Sequence, residues 1–141
     1  MKVKIPIENA LCVDASCIGN PPMEYRGVDL STKQEIFHSY IYPKGTNNLG
    51  EFLAIYDGIR YIEDNKNKLS YECIFSDSTT AITRITSKKI KTTLKYTEET
   101  KELLEKVQEA LTRIKTHDFK IPIHKRETKI RGEIPADFNR K

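Results

Sequence analysis

Three strand-like segments crowd the first 42 residues, and they restrict the fold more than any other feature of the chain. Residues 9–18, 24–31 (EYRGVDLS) and 34–42 (QEIFHSYIY) each read as β-strand, with NPP and STK as the turns between them. Strands joined so tightly pair antiparallel, because a parallel partner needs a crossover of a dozen or more residues. The period then changes. NNLGEFLAIYDGIRYIEDNK carries Leu49, Phe52, Leu53, Tyr56 and Ile59 at helical spacing, which predicts a helix over 48–64 with Asn47 or Asn48 as its N-cap. YECIFSDS at 71–78 reads as a buried strand handing over to a helix in TTAITRITSKK. Residues 97–115 form the most regular helical pattern, opening on Glu98 and Glu99 and repeating Leu103, Leu104, Val107, Leu111 and Ile114. FKIPIHK closes the series as a strand whose Pro122 suits a sheet edge. The order β-β-β-α-β-α-α-β implies an α/β fold, a mixed sheet flanked by helices.

A chain of 141 residues suits one core, and no linker or repeat divides it, so a single domain over 1–141 is expected. No apolar run approaches the roughly 20 residues of a membrane span. MKVKIPIENA lacks the long apolar stretch and cleavage site of a secretory signal, which favours a cytoplasmic protein without a membrane partner. Cys12, Cys17 and Cys73 make no CxxC pair and read as buried reduced thiols. A net charge of +4, from 24 basic and 20 acidic residues, permits a polyanionic partner without demanding one.

One acid sits where no surface charge belongs. In CVDASCIGN, Asp14 lies between Val13 and Ala15 in the middle of an expected strand, and an unpaired carboxylate there would cost several kcal/mol, on the order of that for burying any lone ion. Glu51 lies one turn into the first helix, Asp77 ends the fourth strand, and Asp137 follows GEIPA. Ordinary alternatives exist for the last three: a helix-terminus charge for Glu51, and helix caps for Asp77 and Asp137. Taken together, four carboxylates on separate elements form a metal-site candidate. Hard divalent ions such as Mg²⁺ take oxygen ligands, one or two carboxylates each, so four acids suit two ions. Two ions roughly 4 Å apart stabilise both attacking and leaving oxygens in phosphoryl displacement.

VDASCIGNP, TNNLGEFLAI, FSDSTTAI and PADFNRK resemble, in order and spacing, the four active-site blocks of type 1 ribonuclease H, in the bacterial short form with a GEIPADFGRK-like end. That resemblance covers essentially the whole chain. It implies an RNase H-like fold with a five-stranded mixed sheet of order 3-2-1-4-5. It also implies a two-metal endoribonuclease that cuts the RNA strand of RNA/DNA hybrids and leaves 5′-phosphate and 3′-hydroxyl ends. Asp14 would bridge two Mg²⁺, with Mn²⁺ as the alternative ion. Asp77 and Asp137 would hold the ion that activates water, and Glu51 the other. Ser16, Cys17, Asn20, Asn47 and Asn48 match segments that contact substrate, and amides and hydroxyls suit a ribose 2′-OH, which both donates and accepts. Turn and cap chemistry is the ordinary alternative for these residues, and for Asn48 it weighs about equally. Lys88, Lys89 and Lys91, followed by Lys95, read either as phosphate contacts or as a solvated face. No obligatory protein partner is evident.

The chain departs from the family at its end. It has no tryptophan, and Arg126, Arg131 and Asn139 stand where relatives with this ending carry aromatic residues and glycine. TKIRGEIPA holds no histidine for proton shuttling; Glu133 is the alternative shuttle, against an ordinary ion pair with Arg131, and His124 falls in the last strand. A catalytically impaired hybrid-binding module of the same fold is therefore the rival expectation. Another nuclease or integrase of this fold fits the acids but not the TNN and GNP blocks.

Overall fold

The computed structural model describes residues 10–16, 22–65, 71–92, 94–117 and 121–125. Eight elements follow in the expected order: β1 (Ala10–Ser16), β2 (Glu24–Asp29), β3 (Glu35–His38), α1 (Asn47–Asp64), β4 (Cys73–Ser76), α2 (Thr79–Ser87), α3 (Lys101–Thr116) and β5 (Ile123–Lys125). The sheet runs β3-β2-β1-β4-β5. β1, β2 and β3 pair antiparallel, while β4 lies parallel to β1 and β5 parallel to β4, which is the mixed sheet that the strand order demanded. β5 takes the edge, and Pro122 sits just before it, where its carbonyl accepts from Ile74 N at 3.0 Å.

The β2–β3 hairpin turns on Asp29. Its Oδ1 accepts from the Ser31 and Thr32 amides at 2.9 and 3.0 Å, and Lys33 takes a left-handed φ of 66° to complete the turn. β3 is shorter than the expected 34–42. Ser39 N still donates to Tyr25 O at 2.8 Å, but Tyr25 N donates to Ser39 Oγ at 2.9 Å and not to a backbone carbonyl, and the next bridge is Met23–Tyr42. α2 ends at Ser87 rather than 89 because Lys88 turns left-handed and its N–H closes on Arg84 O.

Two helix starts also differ from expectation. Thr46, not Asn47 or Asn48, caps α1: its Oγ1 accepts from Leu49 N at 3.2 Å. α3 starts at Lys101, not 97. The Thr100 hydroxyl donates to Lys95 O at 2.6 Å and accepts from Thr97 N at 2.8 Å, so residues 97–100 are closed into a turn and Glu98 and Glu99 precede the helix.

α1 is buried almost all round from Leu49 to Tyr56, and this follows from its position against β1, β2 and β4 with α2 and α3 alongside. Its sheet-facing line is small. A Cβ on Gly50 would stand 2.8 Å from Ala15 Cβ and 2.7 Å from Met23 Sδ, and one on Gly58 would stand 3.2 Å from Ile74 Cδ1. Ala54, halfway between them, is fully buried. This Gly-Ala-Gly line at i, i+4 and i+8 lets the helix settle on the strands, while Leu49, Phe52, Leu53, Tyr56 and Ile59 fill the flanks and join Leu11, Val13, Ile74, Leu103, Val107 and Ile114 in the main core. A smaller cluster of Ala10, Cys12, Val28, Cys73 and Phe75 forms separately. Cys12 and Cys73 are buried and carry no disulfide, and burial pushes the Cys73 thiol up to about 11.

Two polar networks fasten neighbouring elements. Lys106 Nζ donates to Asp57 Oδ2 at 2.8 Å and to the Tyr25 hydroxyl at 2.6 Å, and that hydroxyl donates to Asp57 at 2.5 Å, joining α3, β2 and α1. On the sheet edge, His38 Nε2 lies 2.6 Å from Glu24 Oε1 and Nδ1 lies 2.8 Å from Glu35 Oε1, with Arg26 3.7 Å from the same Glu35 oxygen. Partial burial works against the imidazolium, but hydrogen bonds to Glu35 and Glu24 outweigh it and hold His38 above its ordinary 6.5. A raised folded-state value makes this stabilisation complete below about pH 6.5 and loses it as pH rises through that higher value. His38→Gln is therefore expected to lower the melting temperature at pH 5.5 and to approach wild type near pH 9. A destabilisation equal at both pH values would remove the imidazolium from the explanation.

Candidate active site

The site forms where β1, α1 and the end of β4 meet. Asp14 is on β1, Glu51 is one turn into α1, and Asp77 is the first residue beyond β4. One carboxylate oxygen from each lies within 4.8 Å of the others. Asp14 and Glu51 are 9% and 8% exposed, so neither is a solvated surface charge. The ordinary alternatives for Glu51 and Asp77 fail on local grounds. Glu51 is too deep to serve a helix terminus. Ser78 caps α2, accepting from Ala81 N at 3.1 Å, and leaves Asp77 unused for that purpose.

Burial and the negative charges of Asp14 and Asp77 push the Glu51 carboxyl far above the usual carboxylate range. Its Oε1 is also buried without a hydrogen-bond partner. Three converging carboxylates and an orphaned oxygen make a donor set that fits a hard divalent cation, and such an ion is often the largest charge in a site of this kind. The close approach permitted by Gly50 is what brings Glu51, its neighbour in sequence, within reach of Asp14.

The other expected site residues divide. Ser16 closes β1 and is buried; Asn47 and Asn48 are the first two residues of α1 and are exposed. Lys88, Lys89 and Lys91 are exposed between α2 and α3, as is Lys95. His124 stands on β5, its ring 6.0 Å from that of Phe75. Cys17, Asn20, Glu133 and Asp137 lie outside the described residues, as do Arg126, Arg131 and Asn139. Thr46 has its own signal in TNNL, where it stands three residues before the amide that it caps.

The family model described as RNase H matches residues 8–134. Among solved structures, RNase H1 from the halophilic archaeon Halobacterium salinarum NRC-1 is similar with a TM-score of 0.54 and 16% identity, over 90% of this chain and 91% of its own. LC11-RNase H1 in complex with an RNA/DNA hybrid gives 0.49 and 16% identity over 86% of each chain. The N-terminal RNase H domain of a Mycobacterium tuberculosis protein gives 0.45 and 19%, over 82% of this chain and 84% of the other. At such identities the archaeal likeness speaks for the fold, and the match to the family model spans most of the chain.

Proposed function

The chain belongs to the RNase H family, and from that premise we propose that it is a ribonuclease H of type 1 that hydrolyses the RNA strand of RNA/DNA hybrids with Mg²⁺, leaving 5′-phosphate and 3′-hydroxyl ends. The observation that carries this reading is the trio Asp14, Glu51 and Asp77 within 4.8 Å, with Glu51 Oε1 buried and unpartnered. Asp14, Glu51 and Asp77, joined by Asp137 on the strength of the family resemblance, would hold two Mg²⁺ ions. Bound there, the ions would supply a nucleophilic water and neutralise charge on the leaving oxygen. Mn²⁺ suits the same oxygen ligands.

The protein's own groups do the rest. Asn47 and Asn48, exposed in the first turn of α1, present amides on the helix that carries Glu51, so a ribose held by them is held in register with the carboxylates. Ser16 at the end of β1 would add to that contact, as would Cys17 and Asn20 on the strength of the family resemblance. An amide reads a 2′-OH as both donor and acceptor and finds no such group on deoxyribose. Glu133 is the proposed proton shuttle, in a stretch of sequence without histidine. One domain over 1–141 and a cytoplasmic setting complete the reading, the latter supported by buried, unbridged Cys12 and Cys73.

Cleavage of an end-labelled hybrid, beside duplex DNA and duplex RNA, tests the proposal. Cleavage of the hybrid alone is expected with Mg²⁺ or Mn²⁺, the new ends carrying 5′-phosphate. Equal cutting of duplex DNA, or survival of cutting when 2′-OH groups around the site are replaced by hydrogen, would overturn it. The lysines give a separate expectation. Neutralising Lys88, Lys89 and Lys91 together should weaken hybrid binding and flatten its dependence on salt, by roughly 0.7–0.9 in the log–log slope for each phosphate that is no longer neutralised. Turnover at saturation should hold. An unchanged slope would assign the run to solvent.

A further inference from the structure

The segment between β3 and α1 carries an apolar feature that the carboxylates and asparagines leave unused. Tyr40 is 59% exposed and Ile41 52%, beside a neighbour, Tyr42, that is only 5% exposed. The backbone that carries them is fastened on both sides. Ser39 N donates to Tyr25 O at 2.8 Å, Ser39 Oγ donates to Tyr40 O at 2.7 Å, and Met23 and Tyr42 exchange backbone hydrogen bonds of 2.9 and 2.8 Å. The Tyr40 ring stands edge-on to Tyr42 with centroids 5.2 Å apart. Both side chains are thus displayed from an ordered backbone, which lowers the entropy cost of any contact they make.

The topology gives the place. β2 runs antiparallel to β1, and β3 antiparallel to β2, so residues 39–42 leave the sheet at the end where Ser16 closes β1. β4 is parallel to β1, so Asp77 emerges at that same end. The chain then enters α1, whose first turns carry Asn47, Asn48 and Glu51. Two residues are far too little surface for a stable protein partner, which covers roughly 800 Å² on each side. They suffice as an added contact to a ligand already gripped next door.

We infer that Tyr40 and Ile41 form a ledge on which the sugar edges of the bound hybrid rest, beyond the nucleotides held at the carboxylates. The inference rests on the hybrid-hydrolysing reading above. Deoxyribose and ribose rings present C–H faces along a duplex edge, and a tyrosine ring with an adjacent isoleucine packs on such faces without regard to sequence. The contact is apolar, so its contribution is independent of salt, unlike that of the lysines. It acts on binding and not on the chemical step, since neither residue touches the reacting atoms.

Tyr40→Ala combined with Ile41→Ser tests the ledge on the full chain, with hybrids shortened stepwise from each end and thermal unfolding to establish that the variant is folded. KM for a long hybrid is expected to rise about three- to tenfold, with kcat and the salt slope unchanged and Tyr40→Phe close to wild type. Below a certain hybrid length on one side, the variant and wild type should converge. An unchanged KM on the long hybrid would overturn the ledge while the hydrolase stands. So would a penalty that ignores hybrid length, or a wild-type dimer that the double variant dissolves. Failure of the wild type to cut any hybrid would overturn the functional reading and the ledge with it.

Discussion

Asp14→Asn is expected to lower Mg²⁺-dependent hybrid cleavage by at least about a thousandfold, equivalent to about 4 kcal/mol of transition-state stabilisation, while leaving the fold intact. Asp14 lies where the other two carboxylates meet the sheet, and an amide in its place keeps the shape but removes the charge that binds a cation. Asp77→Asn should behave alike. Single-turnover cleavage with circular dichroism of the same samples decides the matter: near-normal cleavage by either folded variant would remove the metal role from these acids. Glu51→Gln separates charge from shape on the stability side. Because burial and neighbouring charge raise the Glu51 carboxyl, the metal-free native state favours its protonated form, and wild-type stability should fall as pH rises above its ordinary value of 4.5. Glu51→Gln should abolish that decline, and Mg²⁺ should reverse it in wild type only. Parallel melting curves for the two proteins in chelator from pH 5 to 9 would contradict this account.

Gly50→Val is expected to cost about 2–3 kcal/mol, the upper part of the range for overpacking a close-packed contact, and to lower the melting temperature by about 6–12 °C. A Cβ at this position meets Ala15 Cβ at 2.8 Å and Met23 Sδ at 2.7 Å. The methionine is adaptable, but Ala15 is bound to the β1 backbone and has nowhere to turn. The helix must therefore lift, and Glu51 lifts with it. Cleavage should fall along with stability, measured below the variant's own melting transition. Gly58→Ala is the control: its nearest contact, 3.2 Å, is the flexible tip of Ile74, and alanine favours the helix by roughly 0.8–1 kcal/mol over glycine. A Gly50→Val protein as stable and active as wild type would show that the close approach of α1 to β1 is dispensable.

What could be read along the chain was whatever depends on near neighbours. Element types and their order follow from apolar periodicities of two and of 3.6, and the short spacing between the first three strand patterns already implied the antiparallel meander. Asp14 announced a site because a carboxylate between Val13 and Ala15 has no local explanation, and the four acid-bearing blocks extended that to a family. Element ends were less legible. Ser39 ends β3 by hydrogen-bonding Tyr25, fourteen residues away, and the Thr100 hydroxyl is spent on Lys95 and Thr97 and so delays α3. Side-chain competition for backbone groups of that kind leaves no periodic trace. Tertiary structure alone decided that Glu51 reaches Asp14, since this depends on Gly50, Ala54 and Gly58 lying along β1 and β4. In the sequence the three small residues are only gaps in the apolar stripe; on the sheet their missing volume sets the distance between helix and strand, and with it the convergence of the charges.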